Sequence, residues 1–155
     1  LKNKKFKWSQ KISHLAFSIL VISIILNSIF SEEFSINMKV GEKKIVSDHI
    51  INFEKISKQE IDNYTSIRAE IEIEQNENKL IFYPELRLYK VPETITSEAD
   101  IKTNLFNDNL LVVNYLKDTD YLNIRYQKKP FMLFIWFSAV MLGLGGMLGL
   151  RDKLK

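Results

Sequence analysis

Ile67 to Glu74 reads IRAEIEIE, and this stretch decides what kind of domain the chain builds. Ile67, Ala69, Ile71 and Ile73 alternate with Arg68, Glu70, Glu72 and Glu74. A period of two puts the apolar side chains on one face of an extended strand and the charges on the other. A helix would need its apolar residues three and four apart, so the segment reads as a half-buried strand. EQNENK, Glu74 to Lys79, follows as a turn, and Leu80 to Tyr83 returns as the second strand of a hairpin. Pro84 interrupts that second strand. Proline offers the ladder no N–H, so the position is an edge or a bulge.

Outward from the hairpin, further strands are expected at Phe34 to Val40, Lys44 to Ile56, Leu86 to Tyr89, Leu110 to Leu116 and Tyr121 to Gln127. Gly41, Asn52, the Asp62-Asn63 pair, Pro92 and the run from Lys117 to Asp120 mark turns. SEADIKTNL, Ser97 to Leu105, reads as one short helix capped by Ser97 or Thr96. So many short strands in about 95 residues suggest a small antiparallel sandwich or barrel.

This β-domain lies between two apolar stretches. ISHLAFSILVISIILNSIF, Ile12 to Phe30, carries no charge and would span ~28 Å as a helix, about one hydrocarbon thickness. It exceeds a usual signal-peptide core and no A-x-A-like site follows it, so it reads as a retained helix. PFMLFIWFSAVMLGLGGMLGL, Pro130 to Leu150, is the second span, with Pro130 placed in its first turn. Phe131, Phe134 and Trp136 form an aromatic girdle. Gly145 and Gly149 are four apart, as are Ala139 and Gly143, a spacing that permits close helix packing. The expected architecture is a membrane protein, two transmembrane helices flanking a small all-β domain with one short helix. Its parts are a basic flank (1–11), a span (12–30), the β-domain (31–129), a span (130–150) and a short tail (151–155).

Charge gives the direction. The N-terminal flank carries +5, the middle −4 and the tail +2. Lys and Arg collect on the cytoplasmic side of membrane segments, so both ends are expected inside and the β-domain outside. Lys128 and Lys129 stand on the other side of the second span and weigh slightly against this. The basic balance comes from these juxtamembrane residues, which orient helices and meet anionic headgroups. It does not point to nucleic acid. The chain begins with Leu rather than Met, so no true N-terminus is assumed.

With no cysteine, thiol catalysis, thiolate metal sites and disulfide exchange are excluded for these residues. Two histidines leave no Ser-His-Asp arrangement, no H-E-x-x-H and no catalytic residue to name. His49 lies on a strand or its entrance and reads as an exposed, structural histidine. His14 stands about one turn inside an apolar helix, where a polar ring is costly unless it meets protein, water or metal. Position alone leaves two readings for it, a ring turned toward the headgroups or a ligand such as haem iron uses.

Several motifs fall in a familiar order. Ser13-His14-Leu15-Ala16 opens the first span; Phe30, Ser31, Glu33, Met38, Gly41 and Glu42 follow as the chain leaves it. Tyr83, Pro84, Glu85, Arg87 and Tyr89 make Y-P-E-x-R-x-Y, and Ser97-Glu98-Ala99-Asp100-Ile101 comes next. Tyr126, Lys129, Pro130, Phe131, Ile135 and Trp136 lead into Leu144, Gly145, Gly146, Leu148 and Leu150. In these residues the chain resembles, end to end, the C-terminal region of the bacterial cytochrome c maturation haem lyase family, CcmF. It departs where Ser13 replaces a glycine and where Ile61-Asp62 replaces Gly-Pro.

The resemblance implies a multispanning protein of the bacterial inner membrane with a periplasmic domain. That family joins haem to the Cys-x-x-Cys-His thiols of apocytochrome c and works with a haem chaperone and other maturation subunits. It also implies a haem b held between two membrane histidines, with His14 at the position of the second as an axial iron ligand. The family's tryptophan-rich haem-handling segment lies upstream of the matching region, so these residues correspond to a part of the lyase, not its whole active site. The rival readings are a non-enzymatic two-span envelope scaffold, which would have a long helical outer segment, and a membrane-tethered ligand-binding β-domain.

Overall fold

The computed structural model describes residues 8–76, 78–117 and 119–154. Most of the expected basic flank, residues 1–7, lies outside the described residues. Among the described residues, two long helices enclose ten strands in sequence: α1 is Trp8–Phe30 and α2 is Met132–Leu154. Both are long enough and apolar enough to cross a membrane. The chain divides into two compact units. One holds α1, α2 and the segment Asn104–Asp108; the other holds residues 32–103 and 109–128.

The strands are β1 (Glu32–Met38), β2 (Lys43–Val46), β3 (His49–Glu60), β4 (Tyr64–Gln75), β5 (Asn78–Phe82), β6 (Glu85–Lys90), β7 (Glu93–Glu98), β8 (Asp100–Thr103), β9 (Asn107–Tyr115) and β10 (Leu122–Pro130). They form a four-stranded sheet, β1-β10-β9-β8, and a second sheet, β2-β3-β4-β6-β7, with β5 also paired to β4. One core joins the sheets. Ile51 and Phe53 of β3, Ala69, Ile71 and Ile73 of β4, Phe82 and Leu86 meet Met38, Leu111, Val113, Ile124 and Tyr126. The alternation in IRAEIEIE is the reason β4 is central, since its apolar face is the floor of that core.

Pro84 behaves as its chemistry requires. Ile71 pairs with Phe82 and Arg68 with Glu85, so β4 faces β5 and then β6 without losing register. Between them Pro84 is fully buried, and its carbonyl accepts the Ala69 N–H at 3.0 Å. The Tyr83 N–H turns away and donates to Asp100 Oδ2 at 2.7 Å.

Four expectations are corrected. Ser97 to Leu105 forms no helix: β7 runs to Glu98, β8 covers Asp100–Thr103, and residues 105–106 bend. The β-branched Ile95, Ile101 and Thr103 favour extension. Leu86 pairs with Ser97, whose hydroxyl donates across to Asn114 instead of capping a helix. The single strand expected from Lys44 to Ile56 is a hairpin of β2 and β3 around Ser47-Asp48, with Ser47 at φ 55°. Asn52 is therefore inside β3, opposite Lys43 and Glu72, and not in a turn. Pro130 ends β10 as a buried residue instead of opening α2, and Phe131, at φ 60°, makes the corner between them.

Candidate functional site

The helical unit is built on a seam of small residues. Ser9, Ala16 and Ser23 recur every seven residues on α1 and are buried. Ser138 and Gly145 recur at the same interval on α2 and are buried too. A Cβ on Gly145 would collide with the Ser13 hydroxyl and stand 3.1 Å from the Ser13 amide nitrogen. A Cβ on Gly149 would sit 3.9 Å from Ser9 Cβ. Gly145 and Gly149 thus lie on the seam, while Ala139 and Gly143 face outward. Small side chains matter here because helices in lipid gain nothing from hydrophobic exclusion and depend on close packing.

His14 follows Ser13 by one residue, so it is turned about 100° away from the seam. It is exposed on the outer face of α1. Its carbonyl accepts the Ser18 hydroxyl at 2.9 Å, and its ring has no hydrogen-bond partner among the described residues. An uncommitted imidazole on an outward helix face fits a haem iron ligand, because it leaves the lone pair available to a group held between helices. The only other histidine, His49, belongs to the sandwich unit, so the second ligand would come from outside these residues.

The sandwich contains a second constellation. His49 is 2% exposed, corrected from the exposed position expected for it. It alternates inward with Ile51 and Phe53 and lies against the rings of Phe34 and Tyr126, at 5.3 and 5.4 Å. Asp48 Oδ1 stands 3.1 Å from Nδ1 and Glu32 Oε2 3.6 Å from Nε2. The Glu32 oxygen is beyond hydrogen-bond distance and the Asp48 oxygen is near but not aligned with Nδ1, so neither ring nitrogen makes a hydrogen bond. Gln75 donates to Asp48 Oδ2 at 2.7 Å, and Lys128 pairs with Glu32 Oε1 at 2.9 Å. The Gln75 amide, first, and then the residue's own backbone N–H hold the Asp48 carboxyl below its usual range.

Glu32, Asp48 and His49 offer three donor atoms within 4.8 Å of one another. The two carboxylates, however, approach opposite ring nitrogens, and the Lys128 ammonium already neutralises Glu32. We read the cluster as a clamp that ties β1, the β2–β3 turn, β4 and β10 together. Tyr126 shares it, donating from its hydroxyl to Asn109 Oδ1 at 2.9 Å. Burial, then the charges of Glu32 and Asp48, push its phenol up to about 12. An unfolded tyrosine titrates near 10. The unfolded chain therefore loses this proton first, and stability falls as pH rises from about 10 to about 12. Tyr126→Phe is expected to flatten that alkaline slope in denaturant titrations of the detergent-solubilised chain. A slope equal to that of the unsubstituted chain would refute the assignment.

The Y-P-E-x-R-x-Y residues form a network on β6. Arg87 Nε donates to Glu85 Oε1 at 3.1 Å, and its guanidinium lies over the Tyr64 ring at 5.2 Å. Tyr64 and Tyr89, cross-strand partners, bring their rings to 5.3 Å. Burial pushes the Glu85 carboxyl up, but hydrogen bonds from Arg87 and Ser66 bring it below the ordinary value. These residues hold β4 to β6; nothing in their arrangement is poised for bond making.

The family described as "CcmF C-terminal beta-sandwich" matches residues 29–130, from the end of α1 to the last residue of β10. The chain belongs to that family. The "Cytochrome c-type biogenesis protein CcmF" of Pseudomonas aeruginosa is 27% identical over 147 residues, covering 94% of this chain and 22% of the relative. The Escherichia coli K12 protein of the same name is 23% identical over 146 residues, covering 94% and 23%. The "Probable cytochrome c-type biogenesis protein NrfE" of the same organism is 21% identical over 155 residues, covering 99% and 28%. The chain thus spans roughly a quarter of the length of these CcmF and NrfE relatives. A solved "Cytochrome c Heme Lyase CcmF" shares the fold, with a TM-score of 0.68 at 11% identity, covering 93% of this chain and 26% of that one. Two helices flanking a β-sandwich are therefore the arrangement this chain shares with the solved CcmF structure.

His14 and its exposure were legible as a question. The clamp was not: its members come from positions 32, 48, 75 and 128, and no spacing in the sequence joins them.

Proposed function

We propose that this chain is the C-terminal part of a CcmF-type haem lyase, assisting covalent attachment of haem to the Cys-x-x-Cys-His thiols of apocytochrome c. Family membership over residues 29–130 carries this reading. The helices cross the bacterial inner membrane with both ends cytoplasmic and the sandwich in the periplasm, as the charge distribution favours. The chain has no cysteine, so none of its own residues supplies a thiol. His14 would hold the iron of a resident haem b, which would supply a redox centre when bound; the second ligand and the haem-handling residues would lie outside these residues. Haem chaperone and other maturation subunits are its partners, and the exposed outer face of α1 is where neighbouring helices would meet it.

The test is covalent haem formation. In a bacterium lacking its own lyase, the complete reading frame that carries this chain should restore haem staining of a c-type reporter on denaturing gels. The same frame with residues 29–130 deleted should not. Full staining from the deleted form would overturn the proposal.

A further inference from the structure

The segment Asn104–Asp108 is chemically unlike the loops around it. It joins β8 to β9, yet it belongs to the compact unit of the two helices. Its tip is Leu105 and Phe106, which are 58% and 54% exposed. The Phe106 carbonyl accepts the Phe131 N–H at 2.7 Å, at the corner where β10 becomes α2. The Phe106 ring stacks on Phe134 at 6.2 Å and 24°, and Phe134 also meets Phe131 at 6.1 Å. Phe134 is the third residue of α2, so Phe106 lies at the level of the first turn of that helix. The same end of the unit carries exposed Ile29 and Phe30 of α1, and Asn27 of α1 donates to the Pro130 carbonyl.

The loop's backbone is prepared for a medium without water. The Asn104 side-chain oxygen accepts the N–H of Phe106 at 2.9 Å and that of Asn107 at 2.8 Å. The Asn107 carbonyl accepts the Asn104 N–H at 2.9 Å. With the Phe106 carbonyl bonded to Phe131, these groups are satisfied internally. Irregular backbone can enter apolar surroundings only on that condition. Asn104 to Asn107 also carries no charge.

We infer that Leu105 and Phe106 are a third membrane contact, a loop anchored in the headgroup–acyl boundary of the bilayer beside the outer end of α2. The occupant of this surface is lipid. Continuity with the aromatic collar of Phe131, Phe134 and Trp136 favours it over water, because aromatic and aliphatic side chains at that depth partition into the interface. The inference rests on the membrane-spanning reading of α1 and α2 and adds a lipid contact made by the β8–β9 connection.

The chain has no cysteine, so a single introduced thiol is unique. Leu105→Cys, Ile22→Cys and Thr119→Cys variants of the full chain, each carrying an environment-sensitive fluorophore, are reconstituted into phosphatidylcholine–phosphatidylglycerol vesicles. Nitroxide-bearing lipids are then added, with the nitroxide near the headgroup or near the tail end. The label at position 105 should emit blue-shifted from the label at 119 and lose most of its emission to the headgroup-proximal nitroxide. The label at 22, exposed in mid-helix, should be quenched best by the tail-end nitroxide. Quenching at 22 with water-like, unquenched emission at 105 would overturn the loop anchor alone. Absence of quenching at 22 would overturn the membrane-spanning reading, and the anchor with it.

Discussion

Gly145→Leu is expected to separate α1 from α2. A Cβ at this position already collides with the Ser13 hydroxyl and comes within 3.1 Å of the Ser13 backbone nitrogen, so relief requires the helix backbone to move. Overpacking of this kind costs about 1–3 kcal/mol. In lipid the cost is felt directly, since close packing is what holds the helices together. The measurement is a cross-link. Ser9 Cβ and the Cβ position of Gly149 are 3.9 Å apart, within the range of a disulfide, so a Ser9→Cys, Gly149→Cys pair should oxidise readily. Adding Gly145→Leu should abolish most of that product. Gly143→Leu should leave it intact, because nothing lies within 4 Å of a Cβ there. Equal yields with and without Gly145→Leu would refute the seam.

That seam shows what the sequence made legible. The four-residue spacing of small residues suggested two candidate packing pairs, and both read alike without a partner helix. Only contact with Ser9 and Ser13 distinguishes Gly145 and Gly149 from Ala139 and Gly143. The Ser13 hydroxyl stands on the seam because the facing glycine leaves room for it.

In the sandwich, period-two alternation located β4 and its hairpin correctly, because burial on one face imposes that pattern. It failed at Ser97 to Leu105, where Ser, Glu, Ala and Asp resemble the first turn of a helix. The pairing of β7 with β6 and the hydrogen bond from Tyr83 to Asp100 override that local preference. The Ser47-Asp48 turn was missed because no glycine announced its positive φ; the hairpin pairing of β2 with β3 closes it. The His49 clamp is the extreme case. An imidazole in a strand reads as ordinary until β1 and β10 bring Glu32 and Lys128 beside it.

The larger functional consequence rests on His14. Its ring faces away from α2 and is uncommitted among the described residues, so nothing within the helical unit explains a polar group one turn inside an apolar helix. The ligand role proposed for it would account for that position. If His14 holds haem iron, its removal would weaken the hold of the protein on that haem. The most direct measurement is the visible spectrum of the purified complete protein carrying His14→Ala. The helix pair can be checked in the same preparation by the Ser9–Gly149 cross-link, which the substitution should leave unchanged because His14 is off the seam. The expected result is loss of most b-type haem absorbance, with partial recovery on adding imidazole. A haem content and spectrum equal to those of the unsubstituted protein would contradict the assignment of His14.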